Sequence, residues 1–305
     1  MWNISKTNPK DIKKLAQLLA NLNSDSKHHI GYCGDDENEI YHTLVHDFSD
    51  FDLSSSFLIA HLDNEIIGAL GFDIDKDNKF AEVWGPFVKF EQMFETIANQ
   101  LWSALTLLNQ KNVQNYSFFI NKENTLAKQF VLDMNGIENG KYLILNANAT
   151  NIAPAEYPEI FYYDSSYYDS FVKLHEQSFP STYYSAGEVL SRINDYNYLW
   201  ICKDNDKEIK GYVYVEADPE HREGTIEYIS VSPEYRKQGV GTKLVSTALY
   251  HLFFKDLIRD ITLCVRAENE KAVHLYKASG FQVKHELTYF KKESHPYHAG
   301  GVSGE

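Results

Sequence analysis

The chain of 305 residues has few cysteines, no long apolar runs and no excess of positive charge. Its three cysteines, Cys33, Cys202 and Cys264, are odd in number and far apart, which argues against a disulfide framework. No apolar run approaches the roughly 20 residues of a membrane-spanning helix, and residues 1–14 lack the apolar core of a signal peptide. These absences predict a soluble protein located in the cytoplasm.

The net charge of −14 disfavours binding to nucleic acid and to anionic membranes, because both are polyanions. Such a surface is compatible with a cationic small molecule. The length and a hydrophobic content of 43% suit two domains of about 150 residues each.

Residues 233–241, PEYRKQGVG, follow a predicted strand at 225–231 and precede a predicted amphipathic helix. A Walker loop does not fit, and a dinucleotide fingerprint would need glycine where Leu244 stands. Glycine allows a ligand close to the backbone, and free N–H groups at a helix start attract anions. The segment predicts a phosphate-binding loop, although two glycines alone could make only a tight turn.

A second predicted strand, 261–265, leads into the sequence RAENEKAVHLYKASGF. Asn269, Ala272 and Tyr276 share one face of the helix that follows, and their spacing puts Asn269 and Tyr276 about 10 Å apart along its axis. Two contacts with an extended ligand fit this distance. The alternatives are a helix N-cap for Asn269 and a core aromatic for Tyr276.

R-x-x-G-x-G followed by N-x-x-A-x-x-L-Y-x-x-x-G-F resembles the GNAT superfamily of acyl-CoA-dependent N-acyltransferases, over roughly residues 155–292. The resemblance implies a mixed α/β fold, a mostly antiparallel sheet flanked by helices. It implies an N-acetyltransferase that moves an acetyl group from acetyl-CoA to a primary amine of a small molecule or peptide, by direct attack in a ternary complex without a metal. The alternative is a non-catalytic acyl-CoA sensor or scaffold; the presence of Tyr276 favours an enzyme.

The resemblance also implies which residues hold acetyl-CoA. The pantetheine arm pairs with the backbone of Ile229, Ser230 and Val231 and contacts Asn269, and the Tyr276 hydroxyl faces the sulfur. The pyrophosphate is held by the N–H groups of Arg236, Lys237, Gln238, Gly239, Val240 and Gly241, with the Thr242 hydroxyl as a further donor.

The chemistry requires a base, since an alkyl amine is protonated at neutral pH, and a proton donor for the departing thiolate. Tyr276 suits the donor. Strict alternation would put Thr225, Glu227, Ile229 and Val231 on one strand face, where Glu227 is the ionisable group and therefore the predicted base. Glu223 and the Tyr228 hydroxyl are alternatives, and Glu227 could instead be a structural carboxylate.

The loop at 178–188 is where the family frames its acceptor, which predicts Tyr183, Tyr184 and Tyr228 as substrate contacts. Tyr183 and Tyr184 could equally be surface aromatics. Cys264 is predicted to be a small buried hydrophobe, and His42 and His46 a solvated pair instead of metal ligands.

The two halves of the chain resemble each other at offsets of 143 to 145 residues. Matching pairs are Gly68 and Gly211, Glu82 and Glu227, and Asn124 and Asn269. At an offset of 145, Glu91, Phe94, Thr96 and Val131 stand opposite Arg236, Gly239, Gly241 and Tyr276. The sequence therefore predicts two tandem GNAT-like folds: a degenerate domain at 1–150, a catalytic domain at 151–292 and a disordered tail at 293–305.

Overall fold

The computed structural model describes residues 1–152, 155–204 and 208–294, so the predicted disordered tail lies outside them from residue 295 onward. The helices are α1 (Ile12–Asn23), α2 (Glu37–His46), α3 (Leu53–Ser56), α4 (Phe94–Asn109), α5 (Thr125–Asp133), α6 (Tyr168–Ser178), α7 (Ala186–Ser191), α8 (Val240–Phe254) and α9 (Glu270–Ala278). The strands are β1 (Asn3–Lys6), β2 (Phe57–Leu62), β3 (Glu65–Asp75), β4 (Phe80–Val88), β5 (Asn115–Asn121), β6 (Ile137–Asn148), β7 (Ile160–Tyr162), β8 (Asn197–Lys203), β9 (Ile209–Asp218), β10 (Glu223–Val231), β11 (Asp260–Arg266) and β12 (Gln282–Glu293).

The chain divides into two compact units. Unit 1 contains Met1–Tyr142 and the chain from His285 onward, and unit 2 contains Leu143–Lys284. The strand order is β1-β2-β3-β4-β5-β12 in unit 1 and β7-β8-β9-β10-β11-β6 in unit 2. Antiparallel pairs run through both sheets, with a parallel pair at β4–β5 and another at β10–β11. The predicted fold class is confirmed.

Helices cover both faces of each sheet. In unit 1, α4 packs its apolar stripe on one face and α1 packs on the other. In unit 2, α8 covers one face, and α6 and α7 cover the other beside Tyr212 and Tyr214. The predicted apolar face of α8 is confirmed, since five of its residues are fully buried: Leu244, Val245, Ala248, Leu249 and Leu252. Burying each Leu or Val side chain contributes roughly 1.5 to 3 kcal/mol.

In each sheet, the strand at the end of the strand order given above is formed by residues outside the segment that forms the other strands of that sheet. Unit 1 is closed by β12, which pairs antiparallel with β5 from Leu287 opposite Asn121 to Glu293 opposite Asn115. Unit 2 is closed by β6, which lies next to β11. The last strand of the second half of the chain, β12, therefore does not belong to the sheet of unit 2. The units also divide the chain at other places than the predicted domain boundaries at residues 150 and 292.

Candidate active site

The loop between β10 and α8 has an unusual backbone. A 3-10 turn, Pro233–Tyr235, follows β10, and Lys237 and Gly239 then adopt positive φ angles of 61° and 79°. The first hydrogen bond of the α8 ladder runs from the Lys243 N–H to the Gly239 carbonyl, at 3.0 Å. The N–H groups of Val240, Gly241 and Thr242 precede this ladder and carry the positive end of the helix dipole.

The two glycines of the loop have different surroundings. A Cβ atom on Gly239 would meet no atom within 4 Å, so this position borders open space. A Cβ atom on Gly241 would lie 3.2 Å from Leu275 Cδ2 and 3.6 Å from Val231 Cγ2. Gly241 thus lets the start of α8 approach both β10 and α9, whereas Gly239 leaves room beside the N–H groups.

Two loop side chains hold the backbone in place. The Arg236 Nε donates to the Val231 carbonyl at 3.0 Å, and the Gln238 amide donates to the Glu234 carbonyl at 2.8 Å. Both side chains are exposed. The terminal nitrogens of the Arg236 guanidinium extend beyond this bond and can meet an anion.

The parallel ladder between β10 and β11 is short. It joins Glu223–Thr225 to Asp260–Thr262, and the two strands continue beyond it without pairing to each other in the described residues. Ile229, Ser230 and Val231 lie in this open part of β10. The Ser230 side chain is 7% exposed, and its hydroxyl hydrogen bonds to the Ser178 hydroxyl at 2.6 Å.

Tyr276 lies on α9 with 7% of its surface exposed, and its ring contacts Phe281. Within the described parts of the chain its hydroxyl has no hydrogen-bond partner. Burial raises the pKa of Tyr276, so the hydroxyl is neutral at physiological pH. The Asn269 side chain caps α9 by accepting from the Ala272 N–H at 3.2 Å, so the N-cap alternative describes the contact observed. Its contact with pantetheine stays a prediction.

Glu227 occupies a β-bulge. Ile226 is opposite Val215 and Tyr228 is opposite Tyr214, so Glu227 is the extra residue of β10. The bulge turns the strand: Ile226 and Ile229 both pack on the α8 side, and Tyr228 packs on the α6 side. The prediction that alternate residues from Thr225 to Val231 share one face is therefore wrong.

The half-buried Glu227 carboxylate accepts a hydrogen bond from the Tyr183 hydroxyl. Its pKa is raised, first by burial and then by the charge of Glu216, while the Tyr183 bond and the positive charge of Arg192 lower it. A carboxyl group with a raised pKa is a better proton acceptor near neutral pH than an ordinary glutamate.

The three predicted substrate residues have different environments. Tyr183 is 65% exposed, and the Tyr184 ring carries the Arg192 guanidinium at 4.3 Å. Tyr228 is only 4% exposed, and its hydroxyl bonds to the Thr182 hydroxyl at 2.6 Å and accepts from the Tyr184 N–H at 3.3 Å. Tyr228 thus anchors the loop at 178–188, called the acceptor loop below, through its hydroxyl. Its buried ring is not presented to an acceptor.

Sequence reasoning missed two groups around this loop. His175 is 1% exposed and bridges the Tyr212 hydroxyl at 2.7 Å and the Tyr184 carbonyl at 2.9 Å. Arg192 binds Glu216 through two nitrogens, at 2.7 and 3.1 Å. Burial works to raise the pKa of Glu216, but the bonds from Arg192 and Tyr214 outweigh it and lower this pKa. The spacing of these residues carries no signal, because their partners are distant in sequence.

Cys264 is exposed, which corrects the prediction of a buried side chain. Neighbouring protein atoms that displace water around the sulfur, and then the charge of Glu227, raise the pKa of Cys264 to about 12. The thiolate is the reactive form, so this cysteine is a poor nucleophile. In the described residues, no group of three or more His, Cys, Asp and Glu side chains is arranged to hold a metal ion.

Unit 1 has no counterpart of the loop. Its 3-10 turn, Glu91–Met93, runs directly into α4 at Phe94, whereas four residues, Arg236–Gly239, separate the turn from α8 in unit 2. The predicted alignment of Glu91 with Arg236 and of Phe94 with Gly239 is therefore wrong. The loop is missing from unit 1.

In unit 1, the part of β5 that extends beyond its short pairing with β4 is paired with another segment of the chain. Ile30 forms an isolated β-bridge with Ile120, and the Gly31 N–H donates to the Phe119 carbonyl at 2.6 Å. This segment takes up the edge of β5 beyond the three residues that pair with β4. An extended ligand would compete with it for that edge.

The registers also correct the proposed internal alignment. Glu82 is opposite Asp73 on β3 and Ser117 on β5, whereas Thr225 is opposite Glu216 on β9 and Thr262 on β11. Glu82 is thus the counterpart of Thr225, so the predicted match with Glu227 is wrong. In the described part of unit 1, no glutamate duplicates the carboxylate of the bulge.

Residues 163–281 match the family model described as the acetyltransferase (GNAT) family. Together with the loop at the start of α8, this match defines that part of the chain as a GNAT acetyltransferase domain. Two units of this fold also occur in a tandem GNAT protein from the clavulanic acid biosynthesis pathway, with a TM-score of 0.66 and 13% identity over 97% of this chain and 99% of that one.

Other relatives are similar over parts or all of the chain. Spermidine N(1)-acetyltransferase of Escherichia coli (strain K12) is 36% identical over 75 residues, which are 25% of this chain and 40% of that protein. The uncharacterized N-acetyltransferase YycN of Bacillus subtilis (strain 168) is 34% identical over 89 residues, 28% of this chain and 56% of that protein. The chain thus spans about half the length of these curated relatives.

A GCN5-related N-acetyltransferase from Sphaerobacter thermophilus has a TM-score of 0.73 and 17% identity, covering 97% of this chain and 96% of that one. At such identities the likeness to solved structures shows the fold alone. Within the described parts of the chain, every helix is too short or too polar to cross a bilayer.

Proposed function

We propose that the protein is an N-acetyltransferase that transfers an acetyl group from acetyl-CoA to a primary amine. The observation that carries this proposal is the loop Arg236–Gly239. Its left-handed residues lead into the N–H groups at the start of α8, which precede the first hydrogen bond of that helix, and Gly239 borders open space. A diphosphate requires N–H donors with room beside them, which fits this arrangement.

The remaining parts of acetyl-CoA fit the features beyond the loop. At Ile229–Val231 the edge of β10 that faces β11 is unpaired, so its backbone is available to a pantetheine arm, and the Asn269 amide nitrogen is a further donor near the start of α9. When bound, acetyl-CoA supplies the acetyl group as a thioester. The buried Tyr276 hydroxyl is assigned to the sulfur. Since its pKa is raised, it keeps its proton and donates a hydrogen bond to the departing thiolate.

Glu227 is assigned as the base. It takes one proton from the ammonium group, directly or through water, so that the neutral nitrogen can form the N–C bond while the C–S bond breaks. The bulge points Glu227 away from regular pairing and toward Tyr183, which lies on the acceptor loop. Overall one acetyl group reaches nitrogen, the thiol leaves protonated and one proton is released to solvent.

The acceptor we propose is an alkyl amine that carries positive charge. Glu227 supplies a carboxylate, and the exposed Tyr183 ring supplies an aromatic face; both stabilise a cation. The acidic net charge of −14 also favours its approach. Spermidine, the substrate in the name of one relative, is therefore the first compound to test.

The test measures release of free CoA thiol from acetyl-CoA with spermidine, simple alkyl amines, aminoglycosides and peptides. We expect thiol release that depends on the amine and stops in the Gly239→Phe variant. Melting of the protein should also shift, because ligand at a hundredfold over its dissociation constant adds about 2.7 kcal/mol. A shift without thiol release across the panel would favour the sensor or scaffold, and no shift would remove the acetyl-CoA assignment.

A further inference from the structure

A cavity of about 390 Å³ lies in unit 2, away from the phosphate-binding loop. Six of its lining residues are Tyr162, Tyr163, Asn194, Asp195, Tyr198 and His251. His251 follows Gly239 by twelve residues on α8, which corresponds to about 18 Å along the helix axis. A molecule in this cavity is therefore remote from the phosphate-binding loop.

Aromatic rings form one side of the cavity. The centroids of Tyr198 and His251 are 4.6 Å apart, those of Tyr162 and Tyr198 are 6.1 Å apart, and Trp200 packs behind them. The Tyr162 hydroxyl hydrogen bonds to His251 Nδ1 at 3.1 Å, which fixes both rings. Tyr162 is 53% exposed, so its ring is accessible. Such rings attract a cation through their π faces.

The charges around the cavity are mainly negative. Asp195 lines it, and Asp256 lies behind His251, with 3.6 Å between His251 Nε2 and Asp256 Oδ1. Asp256 Oδ2 is buried and has no hydrogen-bond partner among the described residues, which is an unfavourable state for a carboxylate. A positive charge in the cavity would lie one imidazole ring away from it.

The described residues that line the cavity supply no lysine or arginine to pair with these carboxylates. Burial lowers the pKa of His251, with a smaller opposing effect of Asp256, so the imidazole is mainly neutral at pH 7. The basic side chain whose charge acts on His251 is Lys255, and its ammonium group lies over the Tyr250 ring at 5.6 Å.

We propose that this cavity binds an organic ammonium ion at a site that takes no part in acyl transfer. Aromatic faces, a carboxylate at the wall and a second carboxylate behind His251, whose Oδ2 has no hydrogen-bond partner among the described residues, together match a compact cation. The volume of the cavity falls in the range of small-molecule sites.

Choline and its uncharged isostere 3,3-dimethylbutan-1-ol test the proposal by calorimetric titration. The two molecules have nearly the same shape and differ in charge, so we expect choline to bind about tenfold more tightly. The quaternary nitrogen has no proton and no lone pair and cannot be acetylated, so the result is independent of the proposed function. Equal affinities, or no choline binding at millimolar concentrations, would overturn the proposal.

Variants locate the bound cation. Tyr162→Leu should weaken choline binding about tenfold and leave the turnover of an amine unchanged. Tyr196→Leu is the matched control, because Tyr196 is 50% exposed and does not line the cavity, so its substitution should leave choline binding intact. Glu227→Gln should also keep choline binding. Loss of binding in Glu227→Gln would place choline at the acyl-transfer site, and full binding in Tyr162→Leu would place it outside this cavity; either result would overturn the proposal.

Discussion

The Tyr183 hydroxyl donates a hydrogen bond to the Glu227 carboxylate. The donor belongs to the loop between α6 and α7, and the acceptor is the extra residue of the β10 bulge. Burial raises the pKa of Glu227, and this bond lowers it. The pKa of the proposed base therefore depends on the acceptor loop.

Removing this bond with Tyr183→Phe should raise the pKa of Glu227 further. The acidic limb of the pH profile of kcat/KM should then move to higher pH. Tyr196→Phe, on the surface between α7 and β8, should leave the limb in place. A limb that does not move in Tyr183→Phe would mean that another group than Glu227 sets it.

Tyr276→Phe should lower kcat at least tenfold and leave the affinity for CoA nearly unchanged. The lost hydroxyl acts on a charge that develops only in the transition state. The measurement is single-turnover kinetics together with calorimetric titration of CoA. Full kcat under conditions where chemistry limits the rate would make Tyr276 a packing residue only.

Asn269 and Asn124 form a matched pair for separating a capping role from a cofactor contact. Each side chain accepts from the N–H three residues on, at 3.2 Å for Asn269 and 3.1 Å for Asn124. Substitution of either by alanine should cost about 1 kcal/mol of stability. Only Asn269→Ala should also raise the KM for acetyl-CoA. If both variants leave this KM unchanged, Asn269 is a cap alone.

Each chain should bind one CoA molecule. Unit 1 lacks the residues that correspond to Arg236–Gly239, and Ile30 with Gly31 occupies the edge of β5. Calorimetric titration should give a stoichiometry near one, and Gly239→Phe should abolish binding by filling the space at the loop. The exposed Glu91→Phe variant, on the 3-10 turn of unit 1, should bind normally. A stoichiometry of two would contradict the loss of the first site.

The stability of unit 1 should depend on pH through Asp73 and Glu82, which are opposite each other on β3 and β4. Burial and neighbouring carboxylates raise each pKa to about 7, so the folded state binds protons that the unfolded chain releases near pH 4. This stabilisation is complete below pH 4 and is lost as pH rises to about 7.

Glu82→Gln removes one of the two carboxyl groups of this pair and leaves Asp73. The melting temperature of this variant minus that of the unsubstituted protein should therefore increase from pH 5 to pH 8. Each kcal/mol of stability that the variant recovers corresponds to about 2 to 4 °C. Glu91→Gln, at an exposed carboxylate, should show no such trend. A difference that stays constant with pH would mean that the pair is already ionised in the folded state.

Local features of the fold could be predicted from the sequence. The periodic apolar residues of α8, the glycines at its start and the cap at Asn269 act through neighbours a few residues away, so their spacing carries the information. The bulge at Glu227 is different. It is defined by the register of β10 against β9, and β10 alone reads as a regular alternating strand.

The obstruction in unit 1 was also beyond sequence reasoning. Ile30 reaches Ile120 across ninety residues, and a pairing at that distance has no periodic signature. The contacts of His175 with Tyr212 and Tyr184 are of the same kind. The sequence shows that Tyr183 and Tyr184 belong to the acceptor loop, but it could not show that Tyr228 is buried and hydrogen bonds to that loop.

The exchange of β6 and β12 has a consequence for dissecting the molecule. A gene fragment that ends at residue 150 would encode β5 without β12, which leaves seven residues of a buried strand with a bare edge. A fragment that begins at residue 151 would lack β6, the neighbour of β11. Neither fragment can be expected to fold as the intact chain does, so a cut at residue 150, between the two repeats of the sequence, would disable both halves.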